Sequence, residues 1–155
     1  MKSLVRIGAA CYASALTYIF FLASRRPWPT FLKHRVVVNV MPLKHKLDEL
    51  AIYGSLRPVD KWNFFTDLLG NILLFIPMPF FMVTLLKIEE RWKTIFLAWL
   101  VSTCVEYTQF IFSVGVADTD DIILNTLGAA LGVWMIQLYQ KYAVRLNWPA
   151  AFQLS

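Results

Sequence analysis

The chain has 155 residues, of which 58% are hydrophobic and only 16% are charged, and its formal net charge is +5. Soluble domains carry about 25% charged residues, so this composition excludes an ordinary soluble domain and is typical of a membrane protein. The length suits one compact bundle. In a membrane protein, an excess of Lys and Arg indicates contact with anionic head groups, so we expect membrane lipids and no nucleic acid as partners.

The first apolar segment covers about residues 4–23, which is long enough for a membrane-spanning helix of about 20 residues. Its basic start, with Lys2 and Arg6, is also found in secretory signal peptides. However, the apolar run is longer than the core of such peptides, and no small-residue cleavage site follows it. We therefore expect an uncleaved transmembrane helix. Cys11 in this segment and Cys104 further along are expected to be small buried apolar residues.

A long connection, residues 24–66, follows the first segment and is rich in Lys, Arg and Pro. Within it, Leu43, Leu47 and Leu50 recur at helical spacing among charged residues. This pattern predicts a short amphipathic helix over residues 43–53 that lies on the membrane surface. The alternative is an ordinary loop that caps the bundle, and the sequence does not distinguish the two.

Three further apolar segments, joined by short hairpins, lie at about residues 67–86, 95–114 and 121–139. Together with the first segment they predict an all-α fold, a four-helix transmembrane bundle with a long basic loop between helices 1 and 2. The bundle is expected to occupy residues 1–155 as a single domain. Lys and Arg are almost equally frequent on the two sides of the membrane, so the positive-inside rule does not fix the topology.

One pattern occurs twice, at the start of the second and of the fourth segment. Asp67 is followed four residues later by Asn71, and Asp121 is followed four residues later by Asn125. Since four residues make about one helical turn, each pair lies on one helix face. Polar groups within hydrocarbon are costly and mark a functional or a packing site. The Asp residues also fit helix N-caps, and the Asn residues fit hydrogen bonds between helices.

The third segment carries a polar stripe at helical spacing, made of Ser102, Glu106, Gln109 and Ser113. The direction of the helices places this stripe and both Asp–Asn pairs in the same half of the bilayer. They predict a polar funnel that opens to one aqueous face and closes near mid-membrane. A kink at Pro77 and Pro79 would widen the floor of the funnel, or it is only a harmless bend. The predicted ligand-binding residues are Asp67, Asn71, Ser102, Glu106, Gln109, Asp118, Asp121 and Asn125.

Glu106 is the hardest of these residues to explain by packing. A carboxyl group this deep is costly if it is ionised and unpaired, and no Lys or Arg is expected inside the bundle. We therefore expect it to be protonated, hydrogen-bonded to Gln109 or an Asn, or directed at water or a cationic ligand. In contrast, Gly128 and Gly132 form a small-x-x-x-small motif that is expected only to allow close helix approach.

This ordered set of residues resembles the VanZ-like family of small integral membrane proteins. The resemblance covers Asp67–Phe80 and continues over Ser102–Gly132. The segment Asn39–Pro42 also looks like an Asn-Leu-Ile-Pro element of the family. The chain departs from the pattern at Gly115, where the family commonly has Arg, and at Pro79, where it has the Gly of Pro-x-Gly. In the family, this Arg could pair with a carboxylate or bind a ligand phosphate, and Gly115 cannot do either.

The resemblance implies a multi-pass protein of the bacterial inner membrane that acts in the cell envelope. The founding type of the family is linked to resistance to glycopeptide antibiotics of the teicoplanin kind. The resemblance also implies that the funnel faces outward. It does not bring a defined biochemical activity with it.

Three hypotheses for the function follow. The first is a funnel that binds the head of an amphiphile, a lipid-linked cell-wall precursor or a lipoglycopeptide antibiotic, while apolar walls take its tail. This hypothesis needs no metal and no other cofactor. The alternative is a membrane-embedded hydrolase or transferase that acts on a lipid-linked substrate. In this hypothesis the carboxyl groups serve as acid and base or as ligands of a divalent cation. The candidate catalytic residues are Glu106, Asp118 and Asp121. The third is a transporter, which requires an oligomer.

Overall fold

The structure is a computed structural model that describes residues 2–23, 38–39, 41–112 and 117–145. Helices make up almost all of this part of the chain. In chain order they are α1 (Lys2–Tyr18), continued by a π-helical turn (Ile19–Ala23), then α2 (Lys44–Ala51), α3 (Pro58–Phe75), α4 (Met78–Leu85), α5 (Arg91–Phe112) and α6 (Thr119–Arg145). The other described elements are a 3-10 turn at Tyr53–Ser55 and two short parallel strands, β1 (Val38–Asn39) and β2 (Ala117–Asp118).

Four helical segments of the described chain are long and apolar enough to cross a membrane, and they are Ser3–Phe21, Pro58–Leu85, Arg91–Phe112 and Thr119–Ala143. The predicted all-α architecture with four transmembrane helices is therefore confirmed.

The second span begins at Pro58, well before the expected start at Asp67. Hydropathy marks only the part of a helix that lies in hydrocarbon. Here a proline at the first helical position and Asp60 in the first turn start the helix earlier. Asp67 consequently lies in the interior of α3, and its interpretation as an N-cap is wrong.

A short break separates α3 from α4 at Ile76 and Pro77, which both keep right-handed helical backbone angles. Because proline has no N–H group, Pro77 and Pro79 each remove one hydrogen bond from the helical ladder. The break packs against α6. Pro79 is fully buried, and a Cβ atom on Gly132 of α6 would lie only 3.1 Å from Pro79 Cγ.

The small-x-x-x-small motif of α6 lies directly on the backbone of the second span. A Cβ atom added to Gly128 would lie 2.2 Å from the Ile72 carbonyl oxygen, and one added to Gly132 would lie 2.3 Å from the Ile76 carbonyl oxygen. The predicted close approach of the helices is thus confirmed. Since α6 also packs against α5, it is the central helix of the bundle.

The first span is attached to the rest of the bundle by hydrogen bonds that include the following two, both between described residues. The Tyr12 hydroxyl donates to the Leu74 carbonyl oxygen at 2.6 Å, next to the break between α3 and α4. Gln109 Nε2 of α5 donates to the carbonyl oxygen of Phe20 at 2.8 Å, within the π-helical turn. Both bonds satisfy backbone oxygens in parts of the helices where the regular ladder is altered, which matters in hydrocarbon because no water is available there.

The two cysteines are not in the core. Cys11 and Cys104 are both exposed on the surface of the bundle, so the expectation that they are buried is wrong. The physical reason is that the outer surface of a spanning helix contacts lipid, where a thiol behaves as a small apolar group. Three other sequence-based expectations lie outside the described residues, and they concern Ser113, Gly115 and residues 24–37 of the long connection.

Candidate functional site

Polar side chains from α3, α5 and α6 meet inside the bundle. Ser102 and Asn125 are fully buried, Glu106 is only 4% exposed, and Asn71 and Gln109 are buried as well. The Asp residues at the rim are partly exposed. We refer to the eight predicted site residues as the polar cluster, and they are Asp67, Asn71, Ser102, Glu106, Gln109, Asp118, Asp121 and Asn125.

Both Asn residues of the repeated pattern bond across a helix interface. Asn71 Nδ2 donates to Asp121 Oδ1 at 2.6 Å, which joins α3 to α6. Asn125 Nδ2 donates to Ser102 Oγ at 2.9 Å, which joins α6 to α5. These contacts agree with the interpretation of the Asn residues as interhelical hydrogen-bonding groups. They also leave the site lined with side chains whose orientations are fixed.

Glu106 holds the turn that precedes α6. Its Oε2 atom accepts a 2.9 Å hydrogen bond from the backbone N–H group of Asp118. This partner replaces the expected Gln109, whose amide is directed at Phe20 instead. The other carboxyl oxygen of Glu106 is buried and lacks a hydrogen-bond partner among the described residues, and the same holds for Asn125 Oδ1. The α5–α6 interface therefore contains two buried acceptors without a donor, an unfavourable arrangement unless another molecule supplies one.

A cation does reach the polar cluster, contrary to the expectation from the sequence. Lys46 of α2 is only 8% exposed, and its Nζ atom donates a hydrogen bond to Asp67 Oδ2. Burial alone would lower the pKa of Lys46. The hydrogen bond and charge of Asp67, with the charges of Glu49 and Asp121, outweigh burial and raise the pKa of Lys46 above its ordinary value. Lys46 is therefore an ammonium ion at neutral pH.

The inward orientation of Lys46 was missed because no Lys or Arg was expected inside the bundle. Leu47 and Leu50, on the apolar side of α2, are 59% and 56% exposed. The sequence did contain a signal for a cation at the polar cluster. Several carboxyl groups from three spans lacked a cation, and the long connection is basic. The exposed leucines leave an apolar face that suits a helix at the membrane interface, and this location remains a prediction.

Asp120 is a second residue that sequence analysis left out of the site. It is fully buried, and its Oδ1 atom accepts a hydrogen bond from the backbone N–H group of Leu43, just before α2. Its own N–H group donates to Asp118 Oδ1 at 2.8 Å. Leu43 has a φ angle of 62°, in the left-handed region that leucine rarely adopts. Together with the Lys46–Asp67 contact, this contact holds α2 against the middle of α3 and the start of α6.

Replacing Lys46 by Met is expected to destabilise the protein by about 1–3 kcal/mol, between the values for exposed and buried ion pairs. Met keeps the apolar stem but leaves Asp67 without its cation. Since the pKa of Lys46 is raised, the wild type keeps this stabilisation at neutral pH and loses it only as the pH rises through the raised pKa. Thermal unfolding in a mild detergent should therefore show a difference between the two proteins that shrinks at strongly alkaline pH.

Lys93→Met is the matched control for this substitution. Lys93 pairs with Glu90 at 2.6 Å, but the two side chains are 65% and 58% exposed, so the expected loss is close to zero. The same unfolding temperature for the wild type and Lys46→Met at neutral pH would show that this pair does not hold α2.

The carboxyl groups of the polar cluster do not form a metal site or an acid–base pair by direct contact. Among the described residues, no group of three or more His, Cys, Asp or Glu side chains is arranged to hold a metal ion. Glu106 and Asp118, two of the candidate catalytic residues, meet through the backbone N–H group of Asp118.

The amino-acid sequence of the chain was compared with those of known proteins. Protein VanZ of Enterococcus faecium is 32% identical to the chain over 89 residues, which are 57% of this chain and 55% of that protein. The chain thus spans little more than half the length of this curated relative. No solved structure matches the chain. The VanZ/LLP1 family model matches residues 9–140, and this chain with four membrane-spanning apolar helices therefore belongs to the VanZ/LLP1 family.

Proposed function

We propose that this protein binds the polar head of an amphiphile of the cell envelope at the polar cluster. The observation that carries the proposal is the pair of buried acceptors, Glu106 Oε1 and Asn125 Oδ1, that lack a donor among the described residues. An amide oxygen and the oxygens of an ionised carboxylate only accept hydrogen bonds, so in that state of Glu106 the matching ligand group must donate them. A head group with N–H or O–H groups meets this requirement.

The electrostatics of the polar cluster favour a cationic or hydroxyl-rich head group. The polar cluster contains four carboxyl groups, and the ammonium group of Lys46, bound to Asp67, can balance at most one negative charge among them. Ammonium groups and sugar hydroxyls donate hydrogen bonds to such oxygens, and those from ammonium groups are the stronger. Lipid-linked cell-wall precursors and lipoglycopeptide antibiotics carry such groups on a hydrocarbon tail. The family resemblance to a protein linked to glycopeptide resistance supports ligands of this kind.

In this proposal, the head group reaches the polar cluster by displacing α2. The protein crosses the bacterial inner membrane several times with the cluster on the outer side, and α2 lies over the cluster at the interface. An ammonium head that enters takes the place of Lys46 at Asp67, so the positive charge beside this carboxylate is exchanged and not lost. The exposed leucines of α2 allow it to move aside within the interface while they stay in contact with lipid.

The proposal is tested by thermal unfolding of the purified full chain in a mild detergent with two probes, dodecylamine and dodecyltrimethylammonium. Both probes have the same tail and charge, but only dodecylamine has N–H donors. We expect dodecylamine to raise the unfolding temperature and dodecyltrimethylammonium to leave it unchanged. Equal shifts with both probes, or no shift with dodecylamine, would contradict a site that requires donors.

A further inference from the structure

A separate cavity lies beside the polar cluster. It has a volume of about 400 Å³, lies between α1, α4 and α5, and is open on its outer side. Ligand pockets measure about 300–1,000 Å³, so this cavity is large enough for part of a small molecule. Its lining includes Leu16 and Phe21 near the end of the first span, Met78 and Met82 of α4, and Val105 of α5.

The lining of the cavity offers hydrocarbon surface and no free polar group. Its two hydroxyl groups are already bonded within the protein, Tyr12 to the Leu74 carbonyl oxygen at 2.6 Å and Thr17 to the Ala13 carbonyl oxygen at 2.9 Å. The lining contains no charged side chain. Water would lose hydrogen bonds in such a place, because apolar cavities stay dry. The part of a ligand that enters the cavity must therefore be hydrocarbon.

The position of the cavity within the spans indicates how it is filled. Its walls belong to helices that cross the membrane, so lipid chains are the molecules in contact with it. A chain that moves from the bilayer into the cavity gains no hydrophobic energy, because both surroundings are apolar. It does gain dispersion contacts with walls that lie on more than one side of it. Occupancy is therefore decided by the fit of the chain to the cavity.

The cavity comes close to the polar cluster along α5. Val105 lines the cavity, whereas the side chain of Glu106, the next residue, points about 100° away around the helix. Phe20 also lines the cavity, and its carbonyl oxygen accepts the hydrogen bond from Gln109 of the cluster. An amphiphile with its head in the polar cluster would therefore have the start of its tail at the edge of the cavity.

We infer that the cavity holds the hydrocarbon tail of the same amphiphile whose head is bound by the polar cluster. This inference rests on the proposed function and adds the place and the chemistry of the tail, an unsubstituted chain of the acyl or isoprenoid kind. The tail lies between α1 and α4, below the hydrogen bond that joins Gln109 to Phe20. Polar or charged groups along the tail are excluded.

The test uses dodecylamine that carries a photoreactive diazirine at the end of its chain. The full-length protein is reconstituted in phosphatidylcholine vesicles, irradiated, and analysed by mass spectrometry. We expect labels to concentrate on Ala9, Met82 and Leu85, at the end of the cavity away from Phe20, and to decrease with excess unmodified dodecylamine. Ala13→Leu is expected to lower this labelling several-fold, because the exposed Ala13 side chain lines the cavity and a leucine there would fill it.

Ala10→Leu is the matched control, since Ala10 is also exposed on α1 but does not line the cavity. Its labelling should equal that of the wild type. Thr17→Leu fills the cavity from the next turn of the same helix and repeats the test if Ala13→Leu gives little protein. Equal labelling in Ala13→Leu and the wild type, or labels spread over the outer surface at Trp92 and Phe96, would overturn the inference.

The same variants separate a failure of the tail site from a failure of the head site. If Ala13→Leu keeps both the labelling and the thermal shift with dodecylamine while Glu106→Gln loses the shift, the cavity inference is wrong and the proposed head site stands. If Glu106→Gln keeps the shift and Ala13→Leu loses the labelling, the cavity takes lipid tails without the polar cluster, and the link between the two sites is wrong. If Glu106→Gln loses the thermal shift and Ala13→Leu loses the labelling, the results support one amphiphile that occupies both sites.

Discussion

Replacing Gly128 by Ala is expected to prevent assembly of the bundle. The added methyl group would lie 2.2 Å from the Ile72 carbonyl oxygen, far closer than atoms of this kind approach each other. Because this oxygen belongs to the backbone of α3, relief requires the two helices to separate, which also pulls Asn71 away from Asp121. We expect a loss of about 3 kcal/mol or more, at the upper end of overpacking effects. Size-exclusion chromatography and thermal unfolding in a mild detergent measure the result.

Gly70→Ala provides the matched control on the opposing helix. A Cβ atom at Gly70 of α3 meets nothing within 4 Å, so the substitution causes no clash. Alanine is preferred to glycine within helices by about 0.5–1 kcal/mol, and the variant should be slightly more stable than the wild type. If Gly128→Ala instead purified as a monodisperse protein with the unfolding temperature of the wild type, α6 would not pack on the second span as closely as the structure has it.

Glu106→Gln is expected to abolish the stabilisation by dodecylamine while the fold is kept. Gln retains an oxygen that accepts the hydrogen bond from the Asp118 N–H group, but it lacks the charge that binds an ammonium ion. Hydrogen bonds to charged groups are worth about 1.5–3 kcal/mol, so the affinity should fall by about 10- to 100-fold. The new amide N–H group also offers a donor at the interface where Asn125 Oδ1 lacks one. Without ligand, the variant should unfold at the same temperature as the wild type or higher.

Glu106→Leu distinguishes binding from the structural role of this side chain. Leucine removes the acceptor of the Asp118 N–H group as well as the charge, so we expect a loss of about 1–3 kcal/mol in addition to the loss of binding. The susceptibility of a bacterial host to a lipoglycopeptide should follow the dodecylamine affinities of the wild type and Glu106→Gln. If Glu106→Gln binds dodecylamine as the wild type does, Glu106 only holds the turn before α6.

Features that depend on spacing along one helix could be predicted from the sequence. Ser102, Glu106 and Gln109 form a buried stripe because residues three or four apart share a helix face. The glycine motif was recognised for the same reason, since small residues one turn apart form a flat surface. Neither prediction required knowledge of the neighbouring helix.

Features that depend on how helices meet could not be obtained in this way. The position of Lys46 is determined by how the long connection folds back over the bundle, which no local pattern specifies. The partners of Glu106 and Asn125 depend on the rotation and depth of α5 relative to α6. The start of α3 was placed too late because hydropathy measures contact with lipid and not the extent of a helix.

The repeated Asp–Asn pattern occupies two different surroundings in the folded chain. Asn71 of the first copy reaches the Asp residue of the second copy, Asp121, whereas Asn125 reaches Ser102 on another helix. Sequence duplication here does not produce internal symmetry, because the copies act on different neighbours. The same substitution at Asn71 and at Asn125 should consequently give two distinct phenotypes, one from the α3–α6 contact and one from the α5–α6 contact.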